Sequence, residues 1–216
     1  MFWCAIARDR LSDSEPAESA KAPRPDDYGE LLALFARTSH ALAEVLETTP
    51  PETVAWTWFE RDQTVGFIRR RQAHEAVIHR IDAEQTASVE SASIPMELAA
   101  DGVDEVLHTM FGGDSPSWGT LDPSGAAGII RLSDIGRSWP VRLGRFQGTS
   151  PNTGITYDEV VLRVVPDGPD QTFVVDGDAA DVYRWLWNRG PIDTVDLTGA
   201  PGACAHLLDL VSAGIQ

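Results

Sequence analysis

The sequence predicts an α + α/β fold class, in which an N-terminal helical bundle is followed by a small α+β domain. In the first half, three long segments carry apolar residues at helical spacing. After Gly113, glycine, proline and aspartate become frequent, and short strand-like runs appear. A helical run followed by a mixed run indicates two domains, which we place at residues 1–112 and 113–216.

The first long helix is predicted from about Tyr28 to Glu47, because large apolar residues follow a helical period there. Pro50 and Pro51 end it. The preceding segment, from Ser12 to Asp27, is rich in serine, proline, alanine and charge. We expect a loop or mobile linker there, since its prolines prevent a continuous helix.

Two further helices complete the predicted bundle. One runs from about Thr64 to Ala87, where apolar residues again recur at helical spacing. The next runs from Pro95 to about Met110, with the proline suited to a first helical turn. Gly112 and Gly113 follow it and favour a left-handed helix cap.

The second half alternates short apolar runs with turn residues, as expected for strands and two interspersed helices. The predicted strands are 128–132, 139–143, 159–165, 172–175 and 194–198, and the predicted helices are 179–188 and 203–212.

Composition and charge narrow the function classes. The formal net charge of −16 argues against binding to nucleic acids or to anionic membrane surfaces. No apolar run reaches the roughly 20 residues that a membrane-spanning helix needs, and the apolar start is too short for a signal peptide. We therefore expect a cytoplasmic protein, in which Cys4 and Cys204 are reduced structural thiols.

The predicted second helix carries residues that are suited to metal binding. Glu75 and His79 are four residues apart, so a helix places them on one face. A carboxylate and an imidazole in that relation can bind one cation, typically Zn²⁺ or a similar metal. Asp82, three residues further on, can accept the second imidazole N–H and orient His79. His74 points elsewhere on the helix, about 140° from His79.

The spacing also has an ordinary explanation, because a Glu and a His four residues apart often make only a surface contact. Two ligands are also too few, since catalytic zinc normally has three protein ligands. We interpret His74 as a structural histidine and the arginines at 69–71 as a solvated or salt-bridged patch. The remaining histidines are interpreted as ordinary helix residues: His40, His108 and His206.

Several motifs can be compared with known families: Trp56-Thr57-Trp58, Thr64-Val65-Gly66-Phe67, Arg70-Arg71-Gln72-Ala73-His74-Glu75, His79-Arg80-Ile81-Asp82-Ala83-Glu84, the run 180–189, and Val195-Asp196-Leu197-Thr198-Gly199. Together they resemble the actinobacterial mycothiol-dependent maleylpyruvate isomerase-like proteins. The resemblance implies a DinB-like helical bundle and a C-terminal domain similar to sterol carrier proteins. It covers nearly the whole chain, and the segment from Arg70 to Glu84 is its most specific part.

The resemblance implies a divalent metal, zinc by preference, with Glu75 and His79 as ligands and Asp82 behind them. In that family a histidine of an earlier helix completes the site, and we find no counterpart here. The segment Phe2–Arg8 resembles the end of that earlier helix. We therefore expect the chain to be truncated at its N-terminus and the bundle to be incomplete, either because the start codon is placed downstream of the true one or because the protein has lost a helix. A bundle without one helix should expose an apolar groove, which a homodimer could cover.

Two function hypotheses follow. By resemblance, the protein is an isomerase or S-transferase that uses mycothiol as co-substrate and acts on a small acidic or electrophilic substrate. An arginine would hold an acidic substrate, but no motif identifies which arginine. The alternative is a non-catalytic binding or structural protein with an incomplete metal site. In that case the C-terminal half could hold an apolar ligand between its sheet and helices, although we expect Trp185 and Trp187 to be packing residues. Metal-dependent hydrolysis is a third option, but the sequence offers no general base for it.

Overall fold

The computed structural model describes residues 1–166, 168 and 170–215. Helices dominate the first half and a sheet dominates the second, so the predicted α+β organisation is confirmed. The helices are α1 (Phe2–Asp9), α2 (Glu15–Ser19), α3 (Tyr28–Thr48), α4 (Val65–Thr86), α5 (Met96–Glu105), α6 (Ala179–Leu186) and α7 (Pro201–Ala213). The strands are β1 (Gly119–Asp122), β2 (Ala127–Leu132), β3 (Arg137–Thr149), β4 (Thr156–Val164), β5 (Gln171–Gly177) and β6 (Asp196–Gly199).

The chain contacts divide the protein into two compact units, Met1–Ala76 and one that begins at Val77. The division falls within α4. The domain boundary that the sequence predicts after residue 112 stays a prediction. No helix among the described residues is long and apolar enough to cross a membrane.

The first unit contains α1, α2, α3 and the beginning of α4. Its core comprises Ile6, Leu46, Val65 and Ile68, together with buried alanines. Where α3 ends, Arg69 of α4 donates hydrogen bonds to the carbonyl oxygens of Leu46 and Thr49, the latter at 2.9 Å. These bonds satisfy carbonyl groups that a helix end leaves without a partner, and they fix the start of α4 against the end of α3.

The helix α2 corrects one expectation from the sequence. The segment Ser12–Asp27, predicted as a loop or mobile linker, contains the five-residue helix Glu15–Ser19. Pro16 lies in its first turn, where a missing backbone N–H costs no hydrogen bond. The prolines therefore prevent a long helix but allow a short one.

The second unit is built on a sheet with the strand order β1-β3-β2-β5-β6, in which β4 pairs with the long strand β3. The pairs are antiparallel except for β2 with β5. Strand β1 is absent from the sequence prediction because it is short and mostly polar. It pairs with β3 through positions such as Leu121 opposite Phe146.

Helices α5, α6 and α7 bury apolar side chains of this unit together with the sheet. Gly102 of α5 lies against the ring of Tyr183 of α6, where a Cβ atom would come within 2.4 Å of the ring. Trp185 and Trp187 are 2% and 4% exposed, which confirms that both are packing residues. After α5 the chain continues as a single π-helical turn, Val106–Met110, so the predicted helix from Pro95 to Met110 changes its hydrogen-bond pattern midway.

Candidate metal site on the fourth helix

The candidate ligands lie on α4, whose start is set by Thr64. The Thr64 hydroxyl accepts a hydrogen bond from the Phe67 N–H at 3.1 Å, which is the usual N-cap interaction. The helix then continues without interruption to Thr86. Glu75 and His79 are therefore one helical turn apart on the same face.

His79 contacts Asp82 as the sequence suggests it could. The His79 Nδ1 atom lies 3.3 Å from the Asp82 Oδ2 atom, and the imidazole is 69% exposed. A carboxylate on one ring nitrogen fixes the orientation of the ring, and this is the usual arrangement behind a metal-binding histidine. Such a contact also occurs on ordinary helix surfaces, so it does not by itself identify a metal ligand.

Asp82 is held in turn by Arg189, which the sequence analysis did not connect with the site. Arg189 donates to Asp82 from Nε at 2.9 Å and from Nη2 at 3.4 Å. The hydrogen bond from Arg189 lowers the pKa of Asp82, burial opposes this, and the contact with His79 adds a smaller lowering. Asp82 is therefore ionised near neutral pH and can accept a hydrogen bond from the imidazole N–H. Because Arg189 is 107 residues from Asp82 in the chain, no local sequence pattern could reveal the pair.

Glu75 pairs with an arginine of its own helix. The Arg71 Nη2 atom donates to the Glu75 Oε1 atom, one turn along α4. The Arg71 side chain is 6% exposed and the Glu75 side chain is 34% exposed. Arg71 is thus salt-bridged, as the sequence allowed, but it is buried and not part of a solvated patch.

The other histidines differ in exposure and in their contacts. His74 is fully buried, in agreement with a structural role. His40 and His206 are exposed, and His108 has its Nδ1 atom 3.0 Å from the Asp104 carbonyl oxygen.

The described residues do not complete a metal centre. Within residues 1–166, 168 and 170–215, no three side chains of His, Cys, Asp or Glu form a group that could hold an ion. Glu75 and His79 offer two donors, whereas catalytic zinc normally takes three from the protein. The residues present thus do not fit a complete catalytic metal site, and we assign no reaction step to a cation.

A separate groove lies in the second unit between β4 and α7, with a volume of about 770 Å³. Its apolar wall includes Met110, Phe111, Leu162, Leu210 and Ile215, and the carboxylates of Glu159 and Asp209 also line it. The volume is within the range of small-molecule sites, roughly 300–1,000 Å³. An apolar ligand between the sheet and the helices was one prediction from the sequence, but no sequence pattern identified the residues of this groove.

Comparison with known families covers both halves of the chain. The family described as mycothiol maleylpyruvate isomerase N-terminal domain matches residues 5–84. The family described as MDMPI C-terminal domain matches residues 97–206. The first match includes Glu75, His79 and Asp82, and the second includes Arg189. No curated protein matches the chain.

Proposed function

Because this chain belongs to the mycothiol maleylpyruvate isomerase family, we propose that it is a thiol-dependent isomerase or S-transferase-like protein with mycothiol as its co-substrate. We further propose that Glu75 and His79 supply two donors to a divalent cation, with zinc as the first choice. The observation that supports this assignment is the chain of contacts from Arg189 through Asp82 to His79. It holds the imidazole in the way that metal-binding histidines are usually held.

The chemistry expected of such a protein begins with a thiolate and a small acidic or electrophilic substrate. An isomerase adds the thiolate to an activated double bond, allows rotation about the resulting single bond, and expels the same thiolate. A transferase keeps the new C–S bond, and a proton is added at the neighbouring carbon. The two outcomes share the first step and differ in whether the thiol is regenerated.

The test is a thiol-consumption and isomerisation assay of the full chain with mycothiol, a small unsaturated carboxylic acid and added Zn²⁺. We expect turnover above the buffer rate, and we expect His79→Ala to reduce it by at least about tenfold. His40→Ala is the matched control, because His40 is also an exposed helix histidine and does not line the groove. If parent and buffer rates are equal in every condition, the enzymatic proposal is wrong.

A second candidate is a non-catalytic binding protein, and the groove between β4 and α7 favours it. Its volume suits a small molecule, and its apolar wall suits the apolar part of such a ligand, while Arg145, Asp158, Glu159 and Asp209 supply polar groups. An environment-sensitive apolar dye should bind to the chain, and Leu210→Glu should abolish binding if the groove is the site, because Leu210 lines the groove and is only partly buried. Dye binding without thiol turnover would favour this candidate over the enzyme.

We also propose that the protein acts in the cytoplasm and forms a homodimer. The exposed apolar side chains of α3, at Tyr28, Leu32 and Phe35, support the second statement. Sedimentation of the purified chain should show a dimer that Phe35→Glu converts to monomer. A monomer at all concentrations would contradict it.

A further inference from the structure

The fourth helix carries an arginine on its buried side. Arg71 is 5% exposed, and Ile68 and Ile78, three residues before it and seven after it, are 1% and 3% exposed. His74 on the same side is fully buried. Arg71 therefore lies within a helix face that the surrounding protein removes from solvent.

A guanidinium in such a position requires an anionic partner. Arginine stays protonated in proteins, so it cannot relieve the cost of burial by losing its charge. Glu75 supplies the anion at one helical turn, through the Arg71–Glu75 ion pair. Removing one partner of a buried ion pair is destabilising, because the remaining charge loses part of its compensation.

The same carboxylate is the candidate donor to a divalent cation. A cation bound to Glu75 would place two more positive charges beside the Arg71 guanidinium, and like charges at this range repel more strongly in a protein than in water. Glu75 would also have to share its oxygens between the guanidinium and the ion. The two positive partners therefore compete for one carboxylate.

We propose that Arg71 competes with a divalent cation for Glu75, so that the ion pair keeps the affinity of the described chain for such a cation low. This inference rests on the proposed assignment of Glu75 as a donor. It gives Arg71 a second role beside that of a buried structural charge. It also gives a physical reason, besides the missing third donor, why the described residues do not fit a metal centre.

The test is a calorimetric Zn²⁺ titration of the full chain and of three variants: Arg71→Met, Arg71→Gln, and Arg71→Met combined with Glu75→Gln. We expect either single Arg71 variant to bind Zn²⁺ at least about tenfold more tightly than the parent, a factor that corresponds to about 1.4 kcal/mol. The double variant should lose this gain, because the gain depends on the released carboxylate. Arg24→Met is the matched control, since it removes an exposed arginine of the same unit.

Zinc binding that is unchanged or weaker in the Arg71 variants would overturn the proposal. Weaker binding would mean that Arg71 positions Glu75 for the cation. Glu75-dependent binding that Arg71 does not affect would leave the proposed donor role intact while removing the competition. If both Arg71 variants fail to fold, the thermal unfolding midpoint of Glu75→Gln is compared with that of the parent. A lower unfolding midpoint supports Glu75 as the counter-ion of Arg71, and an unchanged midpoint overturns it.

Discussion

Asp82 connects two side chains that lie far apart in the sequence, His79 on its own helix and Arg189 beyond the end of α6. The Asp82–Arg189 pair is partly buried, with side-chain exposures of 36% and 24%. Solvent screening reduces the value of such a pair, so a coupling of about 0.5–1 kcal/mol is realistic. This residue-scale interaction holds the imidazole that we assign to the site.

A double-mutant cycle with Asp82→Asn and Arg189→Met should give that coupling in the free energy of unfolding. The matched control is the pair Arg131–Asp176, which joins β2 and β5 and has exposures of 48% and 29%. We expect a smaller coupling for the control because its guanidinium is more exposed. Equal couplings in the two cycles would mean that the Asp82–Arg189 contact adds no more than an ordinary surface pair.

The ion pair of Arg71 was predictable from the sequence, but its burial was not. Its type and its spacing from Glu75 are visible in the sequence, and they predict a salt bridge. Its burial is not visible, because it depends on which face of α4 the rest of the protein covers. The proposed competition at Glu75 depends on this burial as well as on the ion pair.

At the scale of the element, the contact between α5 and α6 depends on Gly102. A Cβ atom at this position would lie 2.4 Å from the Tyr183 Cε2 atom, so Gly102→Ala must displace the ring or separate the helices. We expect a loss of about 1–3 kcal/mol in the free energy of unfolding, the usual cost of overpacking. Denaturant unfolding with Gly202→Ala as control measures it, since a Cβ there meets nothing within 4 Å. A Gly102→Ala protein as stable as the control would contradict the close packing.

The helix α3 was predictable from sequence because it is long and carries apolar residues at helical spacing. The helix α4 was predicted on the same ground, but its apolar periodicity is weak, because its buried side also carries Arg71 and His74. The short elements α2 and β1 were not. Five residues are too few to show a helical period, and β1 contains a glycine and polar residues that periodicity does not assign to a strand. Pairing with β3 makes β1 a strand, and such a tertiary contact has no local sequence signal.

At the scale of the whole molecule, the order of a helical part before a sheet-containing part was predictable from the change in composition after Gly113. The candidate site was predictable only in part. Spacing on one helix identified Glu75, His79 and Asp82, whereas the contact of Arg189 with Asp82 depends on the fold of the second unit. Family membership supports the proposed thiol-dependent function. The described residues offer two candidate metal ligands, whereas a catalytic zinc normally has three protein ligands.

We propose above that Glu75 and His79 bind one divalent cation together. The affinity of the chain for zinc is the direct test of this proposal. Calorimetric titration should compare the parent with Glu75→Ala, His79→Ala and the double variant, with His40→Ala as an exposed control. We expect the parent to bind zinc weakly and each single substitution to reduce the affinity by about the same factor. The double variant should show no further loss, because the two donors form one site. Zinc binding that is unchanged in all three variants would contradict it.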